Sequence, residues 1–185
     1  EEVHPCELYI NNKNGTFTEM AAKAGCAITE FVKGVTSGDY NNDGLTDIFI
    51  STLNGKKILL KNESVKNGSI KFEDVSEQAG LTKNMSRTFP TWFWDYDNDG
   101  WLDILVCGYE FTGSLASYAG AEAVGAPLNN AGKVFLFRNN HDGTFEDVSA
   151  KVGLNKIAFA MGSNFGDIDN DGYLDFYLGT GNPSF

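Results

Sequence analysis

Three short apolar runs punctuate the chain: LTDIFIS (45–51), WLDILVCG (101–108) and YLDFYLG (173–179). Each is rich in Ile, Leu, Phe and Tyr and too short for a helix, so each predicts a β-strand. Ahead of them lie FVKGVTSG (31–38), FPTWFW (89–94) and FAMGSNFG (159–166), where Gly and small residues predict strands packed in a tight space. A second module alternates with the first: LYINNKNGTFTEMAAKAG (8–25), LLKNESVKNGSIKFEDVSEQAG (59–80) and FLFRNNHDGTFEDVSAKVG (135–153). Apolar residues lead into an Asn-rich turn with Gly, and the return strand alternates apolar with polar, which predicts a hairpin.

The unit is four short antiparallel strands: small-residue strand, acidic loop, apolar strand, then a hairpin of two more. Residues 7–25 predict an outer half-unit, 31–81 a full unit, 87–154 a second full unit and 158–179 an inner half-unit. Residues 111–132, FTGSLASYAGAEAVGAPLNNAG, form an insertion expected to be a long loop. The fold class is all-β, with blades of four antiparallel strands amounting to about three blades' worth. Closed propellers typically need about four to eight, so this chain is not expected to close alone. Two readings stay open: part of a longer propeller, or a subunit in which half-blades pair head to tail between copies as a ring or filament.

The loops joining the first two strands are DYNNDGLTD (39–47), DYDNDGWLD (95–103) and DIDNDGYLD (167–175). Oxygen donors at positions 1, 3 and 5 converge if the chain curls, Gly at position 6 permits the turn, and a carbonyl at 7 and a carboxylate at 9 close the shell. Oxygen-only coordination of that kind suits calcium rather than zinc. Three Ca²⁺ sites are predicted: Asp39, Asn41, Asp43, Leu45 and Asp47; Asp95, Asp97, Asp99, Trp101 and Asp103; Asp167, Asp169, Asp171, Tyr173 and Asp175. The residues at position 7 contribute their carbonyls. Asn41 replaces a carboxylate, so the first site is expected to be the weakest. A lone Asx-Gly loop is commonly only a tight turn; the threefold recurrence with the ninth Asp kept is what favours the ion.

The net charge of −11 speaks against nucleic-acid backbones as partners. Eleven Asp lie at ligand positions, so bound divalent ions would cancel much of that acidity. No apolar run is long enough to cross a membrane as a helix. Cys6, Cys26 and Cys107 form no C-x-x-C; a Cys6–Cys26 disulfide and buried thiols are both open readings. Asn14, Asn62, Asn67 and Asn84 are candidate glycosylation acceptors.

These loops, together with the N-N-x-x-G-T-F-x-D-V hairpins, resemble the FG-GAP/VCBS repeat family of β-propellers, which includes integrin α-subunit blades and relatives of cartilage acidic protein. The resemblance covers nearly the whole chain. It implies a secreted or cell-surface, calcium-stabilised scaffold binding a protein, a glycan or copies of itself. It also implies that the loops lie on one face, opposite the insertion. Arg87, Tyr109, Phe111 and Tyr118 are the candidate ligand contacts on that opposite face; ordinary packing is the alternative. Trp92 and Trp94 read as packing between blades rather than sugar stacking. Catalysis has little support, since His4 and His141 sit in turns without partners at metal-ligand spacing, and no nucleophile elbow or phosphate loop occurs. The related lyases and dehydratases that carry such propellers leave an enzyme part as a further alternative.

Overall fold

A computed structural model describes residues 4–65, 68–83, 85–110, 114–126 and 132–180. Twelve strands form four antiparallel sheets in it. The hairpin β1 (Tyr9–Asn11) and β2 (Phe17–Glu19) comes first. The second sheet has the order β3 (Val32–Gly38), β4 (Asp47–Thr52), β5 (Lys57–Asn62), β6 (Phe72–Asp74). The third repeats it with β7 (Thr88–Trp94), β8 (Asp103–Gly108), β9 (Val134–Asn139), β10 (Phe145–Asp147). The pair β11 (Ala160–Gly166) and β12 (Asp175–Thr180) ends the series. This is a stack of propeller-type blades that does not close.

The inner strands share one irregularity, a register shift at Val32/Gly34, Thr88/Thr91 and Ala160/Gly162. Pro90 lies inside the second, where the ladder makes no demand on its missing N–H. Small residues are needed where inner strands meet: a Cβ on Gly34 would come within 2.6 Å of the Phe89 carbonyl oxygen.

Three apolar clusters bind the sheets in series. Ala21, Ala24, Ile58, Leu60 and Phe72 join the first hairpin to the second sheet. Phe49, Leu59, Leu81, Phe93, Ile104, Phe137 and Phe145 join the second to the third. Trp92, Trp94, Leu105, Leu136 and Ala160 join the third to β11–β12, with Phe176 against them. Trp92 stacks on Phe165 at 5.8 Å and Trp94 meets Phe176 edge-on at 5.3 Å, so both indoles pack between sheets.

The outer strands are pinned by recurring side chains. Ser76 and Ser149 accept the Leu59 and Leu136 amides at 2.9 Å, and each hydroxyl is held by Asp74 or Asp147. In the first hairpin Glu19 does both jobs, accepting from Leu8 N at 3.2 Å and Ala21 N at 2.6 Å.

The insertion corrects the expectation of a plain loop, because Leu115–Ala123 is a helix. LASYAGAEA is rich in strong helix formers, and the Ser114 hydroxyl accepts the Ser117 amide at 3.1 Å as an N-terminal cap. The three thiols are free.

Candidate metal centres

Each acidic loop is the tight connection between the first two strands of its sheet, and all three share one backbone path. Positions 4 and 6 are left-handed: Asn42, Asn98 and Asn170 have φ of 55°, 56° and 63°, and Gly44, Gly100 and Gly172 have φ of 82°, 86° and 89°. The curl folds the backbone over the first carboxylate. Asp39, Asp95 and Asp167 each accept the amides of positions 5 and 6 at 2.8–3.1 Å. The position 5 carboxylates of Asp43, Asp99 and Asp171 accept the amides of Leu45, Trp101 and Tyr173 at 2.9, 2.9 and 2.8 Å.

The ninth Asp ties the loop to the sheet. Asp47 accepts Tyr40 N at 3.1 Å and Asn62 N at 2.8 Å, and Asp103 accepts Tyr96 N at 3.2 Å and Asn139 N at 2.8 Å. Asp175 accepts Ile168 N at 3.0 Å. Burial pushes the carboxyls of Asp47 and Asp103 up to about 6, against those two amides and helped by neighbouring loop carboxylates.

The loops differ in how the carboxylates gather. Asp95, Asp97 and Asp99 each bring an oxygen within 4.8 Å of the others, as do Asp167, Asp169 and Asp175. Asp97 Oδ1 is buried with no hydrogen-bond partner. In the first loop Asn41 instead turns its amide onto Asp43 at 2.9 Å, and no third carboxylate joins at that spacing.

Two residues that the sequence alone did not point to stand over the second loop. Arg138 Nε donates to Asp97 at 3.1 Å, and its Nη2 lies 3.6 Å from Asp99. His141 Nε2 is 2.7 Å from Asp99, and its ring stacks on Trp101 at 4.8 Å. Burial works against ionisation of Asp99, but the Trp101 amide, His141 and Arg138 outweigh it and hold the carboxyl below its usual range. The only available signal was that the hairpin turn of each unit ends beside the acidic loop of the same unit.

The loops also touch one another. Asn42 Nδ2 donates to the Gly100 carbonyl at 3.1 Å, and Asn98 Nδ2 to the Gly172 carbonyl at 2.9 Å. The fourth residue of one loop therefore grips the sixth of the next.

At the other ends of the strands, Tyr109 N donates to the Arg87 carbonyl at 2.7 Å, and Arg87 Nε is 3.7 Å from Glu110. The Tyr109 ring lies 4.7 Å from Phe89, and Tyr118 is buried with its ring 5.7 Å from Phe159. Phe111 lies outside the described residues, as do Asn67 and Asn84. Asn14 is exposed on the β1–β2 turn, while Asn62 Nδ2 already donates to the Thr46 carbonyl at 2.8 Å.

The FG-GAP-like repeat model matches residues 4–50, 39–106 and 121–178. The chain belongs to the FG-GAP-like repeat family. It is 29% identical over 178 residues to cartilage acidic protein 1 of Mus musculus, covering 96% of this chain and 25% of that protein. The Homo sapiens protein is likewise 29% identical, with 24% of its length covered, and the Xenopus tropicalis one is 26% identical, with 25% covered. The chain thus spans about a quarter of these curated relatives. Among the described residues no helix is long and apolar enough to cross a membrane.

Proposed function

We propose that this chain is a calcium-stabilised, extracellular β-propeller scaffold that binds protein or glycan ligands and performs no catalysis. The observation that carries the calcium reading is the second loop: three carboxylates converge, and one buried oxygen, Asp97 Oδ1, has no donor. A buried carboxylate oxygen without a partner is costly, and a hard cation satisfies several such oxygens together. Asp95, Asp97, Asp99 and Asp103 with the Trp101 carbonyl would hold the ion there, and the matching residues would hold it in the first and third loops. The ion supplies positive charge that lets clustered carboxylates stay ionised on one strand connection; its role is structural. Affinities of roughly 10⁻⁴–10⁻³ M, usual for extracellular modules, suit a calcium-rich exterior.

Ligand capture is assigned to the end opposite the loops, around Arg87 and Tyr109. The non-catalytic reading rests on the site chemistry: the Asp carboxylates available as acid–base pairs are engaged by backbone amides, and His141 is committed to Asp99. Terbium luminescence sensitised by Trp101 tests the site. Signal that calcium competes away, and that Asp97→Asn diminishes, is expected; absence of calcium competition at millimolar concentration overturns the reading.

A further inference from the structure

The second acidic loop already holds a cation of the protein's own. Arg138 Nε donates to Asp97 Oδ2 at 3.1 Å, and Nη2 lies 3.6 Å from Asp99 Oδ2. Both carboxylates are among those assigned to calcium above, and the inference rests on that reading. Another carboxylate is within Arg138's choice. In the β9–β10 ladder it stands directly opposite Glu146, and opposite charges at such a pair attract. The guanidinium turns to the loop instead. Its strand is pinned beside that loop by Asn139. The Asn139 amide donates to Asp103 at 2.8 Å, and its Nδ2 donates to the Tyr40 and Leu102 carbonyls at 2.8 and 3.0 Å.

The same slot in the preceding sheet shows what Arg138 adds. Lys61 stands opposite Glu73 as Arg138 stands opposite Glu146, and Asn62 follows it as Asn139 follows Arg138. Lys61 Nζ is held by Glu63 at 2.6 Å rather than by the first loop. That loop carries three carboxylates, and Asn41 Nδ2 donates to Asp43 at 2.9 Å. The second loop carries four, Asp95, Asp97, Asp99 and Asp103. Of these two loops, the one with the greater mutual repulsion is the one that receives the cation. On Asp97, Oδ2 accepts from Arg138 while Oδ1 is buried without a donor. A single guanidinium therefore offsets part of the repulsion and leaves carboxylate oxygen unmatched.

We propose that Arg138 is the resident counterion of the second loop: it holds Asp97 and Asp99 together when no ion is bound, and it antagonises calcium at the same two carboxylates. Two cations that share these groups repel each other. What Arg138 contributes to the empty loop it therefore withdraws from the filled one. By linkage, a residue that stabilises the ion-free fold more than the ion-bound fold weakens ion binding by the same free energy. Arg138 thus sets calcium affinity at this loop below what four carboxylates alone would give. In exchange, the strand connection between β7 and β8 stays assembled without the ion.

Terbium luminescence sensitised by Trp101, with calcium as competitor, reads the second loop, because the other two loops carry Leu45 and Tyr173 at that position. Calcium is expected to bind Arg138→Gln about tenfold tighter than the wild type, and Arg138→Lys, which keeps the charge, close to the wild type. In urea unfolding Arg138→Gln is expected to lose more stability in EDTA than in saturating calcium, by the ~1.4 kcal/mol that a tenfold change in affinity represents. In EDTA the losses from Arg138→Gln and Asp97→Asn are expected not to add, since each removes the same ion pair. Equal or weaker calcium binding by Arg138→Gln, or an equal loss of stability in both buffers, overturns the antagonism. Additive losses in EDTA overturn the counterion. A wild type whose terbium signal calcium does not compete away overturns the calcium reading and the antagonism with it, whereas the EDTA comparison judges the counterion without any ion.

Discussion

Asp103 shows how one residue serves two demands. Its carboxylate joins a loop to a sheet through the amides of Tyr96 and Asn139, and it is fully buried. Asp103→Asn turns one acceptor into a donor facing an N–H, leaving a buried amide unmatched. A loss of about 1–3 kcal/mol is expected in urea unfolding, even in the absence of calcium. Asn41 offers the opposite experiment. Asn41→Asp gives the first loop a fourth carboxylate, as in the other two loops, so isothermal titration is expected to show tighter calcium binding at that site. The ligand pattern at both positions was legible in the sequence. The second role of Asp103 was not, because Asn139 lies 36 residues away and comes to it only through strand pairing.

At the level of elements, β5 carries an unusual feature. Lys57 is buried, 5.6 Å and 6.0 Å from the Phe135 and Phe137 rings, and burial holds its ammonium down to about 8 from 10.5. Between those values the unfolded chain binds more protons than the folded one, so stability is expected to rise as pH climbs from about 8 towards 10.5. Below that window both states are protonated and the cost is constant. Lys57→Met is expected to flatten the rise, checked by chemical denaturation at several pH values. The short apolar run within KILLK predicts a strand but not the burial of Lys57, which requires the Phe135 and Phe137 rings of β9 to reach it. The Asp–Ser pins behave similarly. Ser149→Ala strips the Leu136 amide of its acceptor and is expected to cost about 1 kcal/mol. The D-V-S repeat was visible, but Glu19 standing in for both partners emerged only in three dimensions.

For the molecule as a whole, calcium is expected to act as a stabilising ligand. At ten times Kd each site contributes about 1.4 kcal/mol. Three sites together would raise Tm by roughly 10 °C for a chain of this size, so chelation followed by scanning calorimetry is expected to lower Tm by that amount. The loops are linked through Asn42 and Asn98, so Asn98→Ala is expected to weaken binding at both the second and third loops. Independent sites would confine the change to one.

The sequence by itself determined the strands, the loops and the order in which they recur. Those follow from local rules: alternation, Asx-Gly turn chemistry and donors spaced along one curl. The tertiary structure decided which groups meet across the repeats: Arg138 and His141 over the second loop, the Asn grip from loop to loop and the burial of Lys57. Such pairs join residues tens of positions apart. Their meeting depends on the register and stacking of whole sheets, which no local pattern encodes.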